Sequence, residues 1–197
     1  MLILLCYREQ ELYMNIQIKK LSYAALCLAL ALVLPFLTGQ IPTIGAMLSP
    51  MHIPVLLCGF LCGWQWGLAV GFVAPILRSL LFGMPKLYPT ALAMMCELAV
   101  YGAATGFFYS RFPRKPWRIY LSLVLAMLLG RIVWGCAQYV LLGAQGTKFT
   151  WQMFAAGAFI NAVPGIILHL ILIPAIVYAL EKAGYILNTG KGTGSDL

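Results

Sequence analysis

Much of the information about the fold lies in residues 45–90, which read GAMLSPMHIPVLLCGFLCGWQWGLAVGFVAPILRSLLFGMPKLYPT. Two short apolar runs, 52–62 and 67–82, are separated by a turn that contains glycine and two tryptophans. Each run is shorter than the ~20 residues of an untilted bilayer crossing, so tilted or partly protein-covered helix ends are expected. Tryptophans of this kind are typical of a membrane interface. The stretch therefore predicts a helical membrane hairpin, with Arg78 placed inside apolar sequence.

The composition of the whole chain also indicates a membrane setting. Of its 197 residues, 62% are hydrophobic and 9% are charged. The mean hydropathy of +0.92 exceeds what a water-exposed surface tolerates. The net charge of +8 comes from basic residues at segment ends, where anionic lipid and the orientation rule account for them. We therefore expect an integral membrane protein that does not bind nucleic acid.

The apolar segments predict an all-α membrane bundle with six transmembrane helices. A chain of this length has room for about six spans of ~20 residues and none for a folded soluble domain. Pro164 and Pro174 are expected to bend the last helix. The predicted helices cover about residues 20–38, 52–62, 67–82, 89–109, 117–142 and 150–180.

Lysine and arginine are distributed unevenly over the predicted connections. With the N-terminus inside, only Lys86 and Lys148 fall in external loops. The cytoplasmic basic residues are then Arg8, Lys19, Lys20, Arg111, Arg114, Lys115, Arg118, Lys182 and Lys191. The positive-inside rule therefore predicts that both termini are cytoplasmic.

The segments outside the helices differ in character. Residues 1–17 are expected to form a cytoplasmic N-terminal segment, in which Met14 is an alternative start, and residues 18–183 the membrane domain. The glycine-rich tail, 184–197, is expected to be a flexible cytoplasmic segment. The first loop, 39–50, has the sequence GQIPTIGAMLSP, with three glycine or proline breakers in its first seven positions and no charge. Such a sequence favours an ordered, partly apolar loop that can serve as a lid.

Four ionisable residues fall inside the apolar segments: Arg78, Glu97, Arg131 and His169. Each would cost several kcal/mol facing lipid, so we expect them to face the bundle interior. Glu97 and Arg131 lie ~12 and ~17 Å from the outer ends of their helices, at ~1.5 Å per residue, and can form a buried pair. Either the pair only neutralises itself and fixes helix packing, or one member also contacts a polar ligand.

Further polar residues lie in or near the outer half of the predicted bundle. Asn161, which precedes a Pro-Gly pair, can hydrogen-bond a ligand or another helix. Gln138 lies among aromatic residues that suit the lining of a flat organic solute. Arg78 either snorkels to headgroups or contacts an anion. His52 and His169 are more typical of packed, hydrogen-bonded histidines than of ligands.

No enzyme motif is found. The sequence lacks G-x-S-x-G, H-E-x-x-H and paired membrane aspartates, and the C-terminal GYILNTGKGTG lacks the spacing of a phosphate loop. The six cysteines fall mostly in apolar runs, which is typical of packing residues. Cys58 and Cys62 share a helix face, but no histidine or carboxylate stands close in sequence to complete a zinc set. We expect neither a metal site nor a cofactor.

The first helix carries Ala25-Leu-Cys-Leu-Ala29, a small-xxx-small pattern that lets another helix approach closely. This pattern follows a Lys-Lys start, a proline-rich external loop follows the helix, and residues 51–85 read MHIPVLLCGFLCGWQWGLAVGFVAPILRSLLFGMP. Together with the six-span plan, these features resemble the substrate-binding S components of energy-coupling factor (ECF) transporters. The resemblance covers roughly residues 15–183.

The resemblance implies a multi-pass protein of the bacterial plasma membrane that binds a vitamin or vitamin precursor from outside. ATP hydrolysis would belong to two separate ATP-binding-cassette ATPases, joined by a transmembrane coupling subunit. Ala25 and Ala29 would meet that subunit, and the loaded S component would topple within the bilayer. The first loop would close over the substrate through Ile41, Pro42, Gly45 and Met47.

The family's general site location, the outer half of the bundle, implies substrate contacts from Glu97, Arg131, Gln138 and Asn161. Arg78, near the outer end of its helix, is predicted as a further substrate contact. Pantothenate is the leading substrate hypothesis, because it carries a carboxylate and both Arg78 and Arg131 are cationic. The same buried charges and broken helices also fit a self-sufficient secondary transporter of a small polar solute. Ion-gradient-driven uptake by this chain alone in liposomes would favour that alternative.

Overall fold

The computed structural model describes residues 2–38, 48–113, 115, 117–146, 150–157 and 162–187, with side chains from Met14 onward. These residues form seven α-helices: α1 Leu2–Val33, α2 His52–Cys62, α3 Trp64–Phe82, α4 Leu92–Arg111, α5 Trp117–Ala144, α6 Trp151–Ala155 and α7 Val163–Lys182. A 3-10 turn, Leu34–Thr38, extends α1, and a π-type turn, Leu87–Ala91, leads into α4.

Five helical segments among the described residues are long and apolar enough to cross a membrane: Met14–Leu37, Trp64–Phe82, Leu87–Arg111, Trp117–Ala144 and Val163–Lys182. Helix α2 is apolar but has only 11 residues. It is therefore about 16 Å long, roughly half of the ~30 Å hydrocarbon thickness. The all-helical membrane fold is confirmed, while six crossings and two cytoplasmic termini stay predictions.

The boundaries of α2 coincide with the predicted run 52–62, and α5 begins at Trp117 as predicted. The predicted start of the first helix near residue 20 is wrong, because α1 already begins at Leu2. Leucine, glutamate, glutamine and arginine are good helix formers. They continue the helix past its apolar part, so residues 2–17 are the first turns of α1.

The single helix predicted over 150–180 is also wrong, since the structure has α6 and α7 in its place. Helix α6 starts after Thr150, whose side chain accepts a hydrogen bond from the Met153 amide and acts as an N-cap. Pro164 lies in the first turn of α7, where its missing N–H has no intrahelical partner to lose. It therefore begins a helix and does not bend one, whereas Pro174 lies inside α7.

Helix α4 lies at the centre of the bundle and packs against α2, α3 and α5. Glycines allow the backbones of α3 and α4 to touch. A Cβ atom on Gly102 would lie 2.1 Å from the Gly67 carbonyl oxygen, and one on Gly71 would lie 2.2 Å from the Leu98 carbonyl oxygen. This close crossing fixes α4 beside α2 and α5, whose polar residues it meets.

One end of the bundle is held together by the side chain of Arg118 on α5. Its guanidinium donates to the Tyr109 hydroxyl at 2.8 Å, lies 4.1 Å from the Tyr109 ring centroid and pairs with Glu181. These contacts connect α5 with α4 and α7. The same end carries Lys182 and the Lys115 connection, which the charge distribution predicts to be cytoplasmic.

Candidate functional site

A group of buried polar side chains, here called the polar cluster, joins α2, α4, α5 and α7. Its members are His52, Glu97, Tyr101, Arg131 and His169. Glu97 Oε1 lies 3.0 Å from Arg131 Nη1 and 3.7 Å from His52 Nε2. The Tyr101 ring centroid lies 5.3 Å from that of His52, and the His52 and His169 rings stack at 6.1 Å. Four helices thus contribute to one polar centre inside an apolar bundle.

Local structure explains how these side chains reach one another. Glu97 and Tyr101 are four residues apart in α4 and therefore share a helix face. His52 is the first residue of α2, and its amide donates to the Ser49 carbonyl at 3.0 Å. Ser49 has a φ of 46°, a left-handed conformation that turns the chain sharply into the helix. His169 hydrogen-bonds the Ser49 backbone, so the polar cluster meets the end of the first loop.

The polar cluster is almost completely buried, although its side chains are polar or charged. The exposed fractions are 1% for Glu97 and Tyr101 and 3% for His52 and His169. Within the described part of the chain, several of its atoms have no partner in hydrogen-bond geometry: both ring nitrogens of His52, Glu97 Oε1, the Tyr101 hydroxyl, Arg131 Nε and His169 Nε2. Glu97 nevertheless lies beside His52 and Tyr101. Each such group costs ~1–3 kcal/mol when buried. Unmatched donors and acceptors at this density suit a polar ligand.

The structure brings together part of the predicted site. The predicted Glu97–Arg131 pair is confirmed, as an ion contact that is not aligned as a hydrogen bond. Gln138 lies two turns further along the same face of α5, buried and with its Oε1 unpartnered among the described residues. Asn161 and the gating residues Ile41, Pro42, Gly45 and Met47 lie outside the described residues.

Sequence reasoning missed part of the polar cluster. The sequence favours packed, hydrogen-bonded histidines over ligands at His52 and His169, and it does not single out Tyr101. The spacing of Tyr101, one helical turn from Glu97, was the available signal. The contact between the two histidines had no sequence signal, because α2 ends at Cys62 and α7 begins only at Val163.

Arg78 lies away from the polar cluster, between the ends of α1 and α3. Its side chain is 4% exposed, which does not fit snorkelling to headgroups. The guanidinium donates to the Leu32 carbonyl and lies 5.1 and 5.4 Å from the Phe36 and Phe82 ring centroids. The last carbonyls of a helix lack intrahelical donors, and Arg78 satisfies one of them. Its role here is to hold α1 against α3.

Replacing Arg78 with methionine is expected to lower stability and to leave ligand affinity nearly unchanged. The loss should be about 2 kcal/mol, the value of a hydrogen bond to a charged group. Thermal unfolding in detergent and ligand titration of the folded protein measure the two effects. Lys86→Met, at an exposed position after α3, is the control that should change neither. A strong loss of affinity at unchanged stability would return Arg78 to the binding site.

A second feature is an apolar groove of about 740 Å³ between α5 and α6. It is lined by Ile132, Gly135, Cys136, Tyr139, Val140, Thr150, Trp151 and Phe154. No member of the polar cluster borders it. Tyr139 and Trp151 are 67% and 77% exposed, so they behave as residues of an interfacial aromatic belt. The groove suits lipid better than a polar solute.

The small residues of α1 divide between two faces. Ala24, Cys27 and Ala31 are buried against the neighbouring helices. Ala25 and Ala29 are exposed on the other face. An exposed small-xxx-small pair permits close approach of a helix from another protein.

Residues 19–177 match the family model described as "ECF transporter, substrate-specific component". No curated protein matches the chain, and no solved structure matches it.

Proposed function

The chain belongs to the family of ECF transporter substrate-specific components, and from this premise we propose that it captures a vitamin or vitamin precursor from outside the cell with high affinity. The polar cluster is the observation that supports this function most directly. It places unpartnered donors and acceptors in the interior of a membrane bundle, where a bound polar solute would satisfy them. The bundle would serve to bind and hold the solute, without chemical conversion.

In this proposal Glu97, Arg131 and Gln138 contact the substrate. Asn161 and the first loop, through Ile41, Pro42, Gly45 and Met47, cover it from the outer side. The contact of His169 with the Ser49 backbone supports this role of the loop, because it connects the end of the loop to the cluster. Ligand binding and loop position would then depend on each other.

Pantothenate is the leading substrate in the proposal. It combines a carboxylate with an amide and hydroxyl groups, which the mixed donors and acceptors of the cluster can match. Of the two arginines that motivated this choice, only Arg131 lies in the polar cluster. Arg78 donates to the Leu32 carbonyl through one of its guanidinium nitrogens, so the proposal relies on Arg131 for the contact with the substrate.

The partners in this proposal are a transmembrane coupling subunit and two ATP-binding-cassette ATPases, which together supply the energy. Loaded protein would topple in the bacterial plasma membrane, with both termini on the cytoplasmic side. The exposed pair Ala25 and Ala29 would form the contact with the coupling subunit. The basic residues at one end of the bundle support this orientation.

The test is purification of the chain alone and after co-expression with the coupling subunit and ATPases of its own organism. Mass spectrometry then identifies any ligand that the protein retains. We expect coupling subunit and ATPases to copurify, and the solitary chain to bind one vitamin with a Kd below about 1 μM, or ~8 kcal/mol of binding free energy. Ala25→Trp with Ala29→Trp should abolish copurification and spare vitamin binding. Leu128→Trp, at an exposed position on α5, is the matched control. Absence of both partners and vitamin would refute the proposal.

A further inference from the structure

Within the polar cluster, the opposite charges of Glu97 and Arg131 cancel one another. The Glu97 carboxylate faces the Arg131 guanidinium at 3.0 Å, and Glu97 is 1% exposed. The Tyr101 hydroxyl adds no charge to this pair. Arg131, the candidate contact for a substrate anion, is therefore already paired with the Glu97 carboxylate of the chain itself.

Among the residues that the structure describes, no second lysine or arginine forms an ion pair with the polar cluster. The first loop, residues 39–50, contains no ionisable residue. Gln138, further along α5, is uncharged, and the Arg78 guanidinium is engaged with the Leu32 carbonyl between two aromatic rings. A substrate carboxylate against Arg131 would place a second anion beside the Glu97 carboxylate, which already matches that guanidinium. Uncompensated charge costs several kcal/mol in a low-dielectric interior.

The cluster atoms that have no partner in hydrogen-bond geometry among the described residues are suited to uncharged groups. The Tyr101 hydroxyl both donates and accepts, and a neutral imidazole has one donor and one acceptor nitrogen. Arg131 Nε donates, and Gln138 Oε1 accepts. Hydroxyl and amide groups of a ligand match this mixture of donors and acceptors, whereas a carboxylate only accepts.

We infer that the polar cluster binds an uncharged, hydrogen-bonding part of the substrate and that any carboxylate of the substrate stays toward the outer rim. This inference rests on the proposed function and adds the orientation and the chemical class of the recognised group. For pantothenate, the hydroxyl end would enter first. The neutral and acidic forms of one ligand should then bind with similar affinity.

The test compares acid and neutral members of ligand pairs by calorimetry at about pH 8, above the usual titration range of imidazole. Suitable pairs are pantothenate and panthenol, nicotinate and nicotinamide, and biotin and biotinamide. For the pair that binds, the wild-type protein is expected to hold both members within about tenfold in Kd. A neutral member that binds more than about tenfold more weakly overturns the inference.

Glu97→Gln provides a second test of the inference, because it removes the negative charge that matches Arg131 and keeps the shape of the side chain. The preference for the acid member over the neutral one should rise by at least about tenfold. The matched control is Glu181→Gln, which alters the Arg118–Glu181 pair at the opposite end of the bundle and should leave the preference unchanged. An unchanged preference in folded Glu97→Gln overturns the inference. If that variant does not fold, the wild-type comparison decides alone.

The possible results distinguish failure of this inference from failure of the proposed vitamin capture. Tight binding of an acid whose neutral partner fails to bind overturns the inference and leaves vitamin capture intact. Binding of neither member of any pair, with no retained ligand and no copurifying ATPase, overturns both.

Discussion

Replacing Gly102 with leucine is expected to destabilise the bundle by about 3 kcal/mol or more, at the upper end of overpacking effects. Even the Cβ atom alone would lie 2.1 Å from the Gly67 carbonyl oxygen and 2.3 Å from its carbonyl carbon. Both atoms belong to backbone, which cannot rotate away as a side chain can. Helices α3 and α4 would have to separate, and the position of Glu97 would change with them. Thermal unfolding in detergent, followed by circular dichroism, measures the loss.

Gly143→Leu is the matched control for this substitution. Gly143 is also helical, but a Cβ atom there would meet nothing within 4 Å among the described residues. The control should unfold within about 2 °C of the wild type, a shift below that of a 1 kcal/mol change. Equal losses in both variants would show that the close crossing of α3 and α4 is not the cause.

Removing one member of the Glu97–Arg131 pair is expected to cost about 3–5 kcal/mol of unfolding free energy. Glu97→Ala leaves the guanidinium of Arg131 without its carboxylate, and Arg131→Ala leaves the carboxylate beside His52 and Tyr101 without the guanidinium. The double variant should recover much of this loss, because no charge remains buried. The three variants form a double-mutant cycle that is measured by reversible unfolding in detergent.

The pair Arg118–Glu181 is the internal standard for this cycle. The Glu181 side chain is 40% exposed, so water can solvate the charge that a single substitution leaves behind. Each single substitution there should cost less than its counterpart in the polar cluster. Additive losses at Glu97 and Arg131, with no recovery in the double variant, would contradict the expected coupling.

The sequence predicted features that depend on local chemistry. The end of α2 follows from Gly63, which has a φ of 98°, a value that favours glycine. The meeting of Glu97 and Arg131 follows from the cost of leaving either charge in lipid. Both conclusions need only the order of residues and the properties of a bilayer.

Features that depend on how helices meet could not be predicted in the same way. The Leu32 carbonyl that binds Arg78 is a backbone atom, and the sequence does not show which side chain will reach it. The stacking of His52 on His169 depends on the placement of α7 beside α2. The four-residue spacing of Gly67 with Gly71 and of Gly102 with Gly106 was visible in the sequence, but identical spacing occurs on lipid-facing helices.

The shortness of α2 bears on how deep a solute would lie in the proposed orientation. The helix begins at His52 and has 11 residues, so His52 lies about 15 Å along the helix axis from Cys62, close to half of a ~30 Å hydrocarbon layer. In the proposed orientation, with Cys62 toward the cytoplasmic face, a solute held against His52 would rest near the bilayer mid-plane. Delivery to the cytoplasmic side would then require a displacement of about half the membrane thickness.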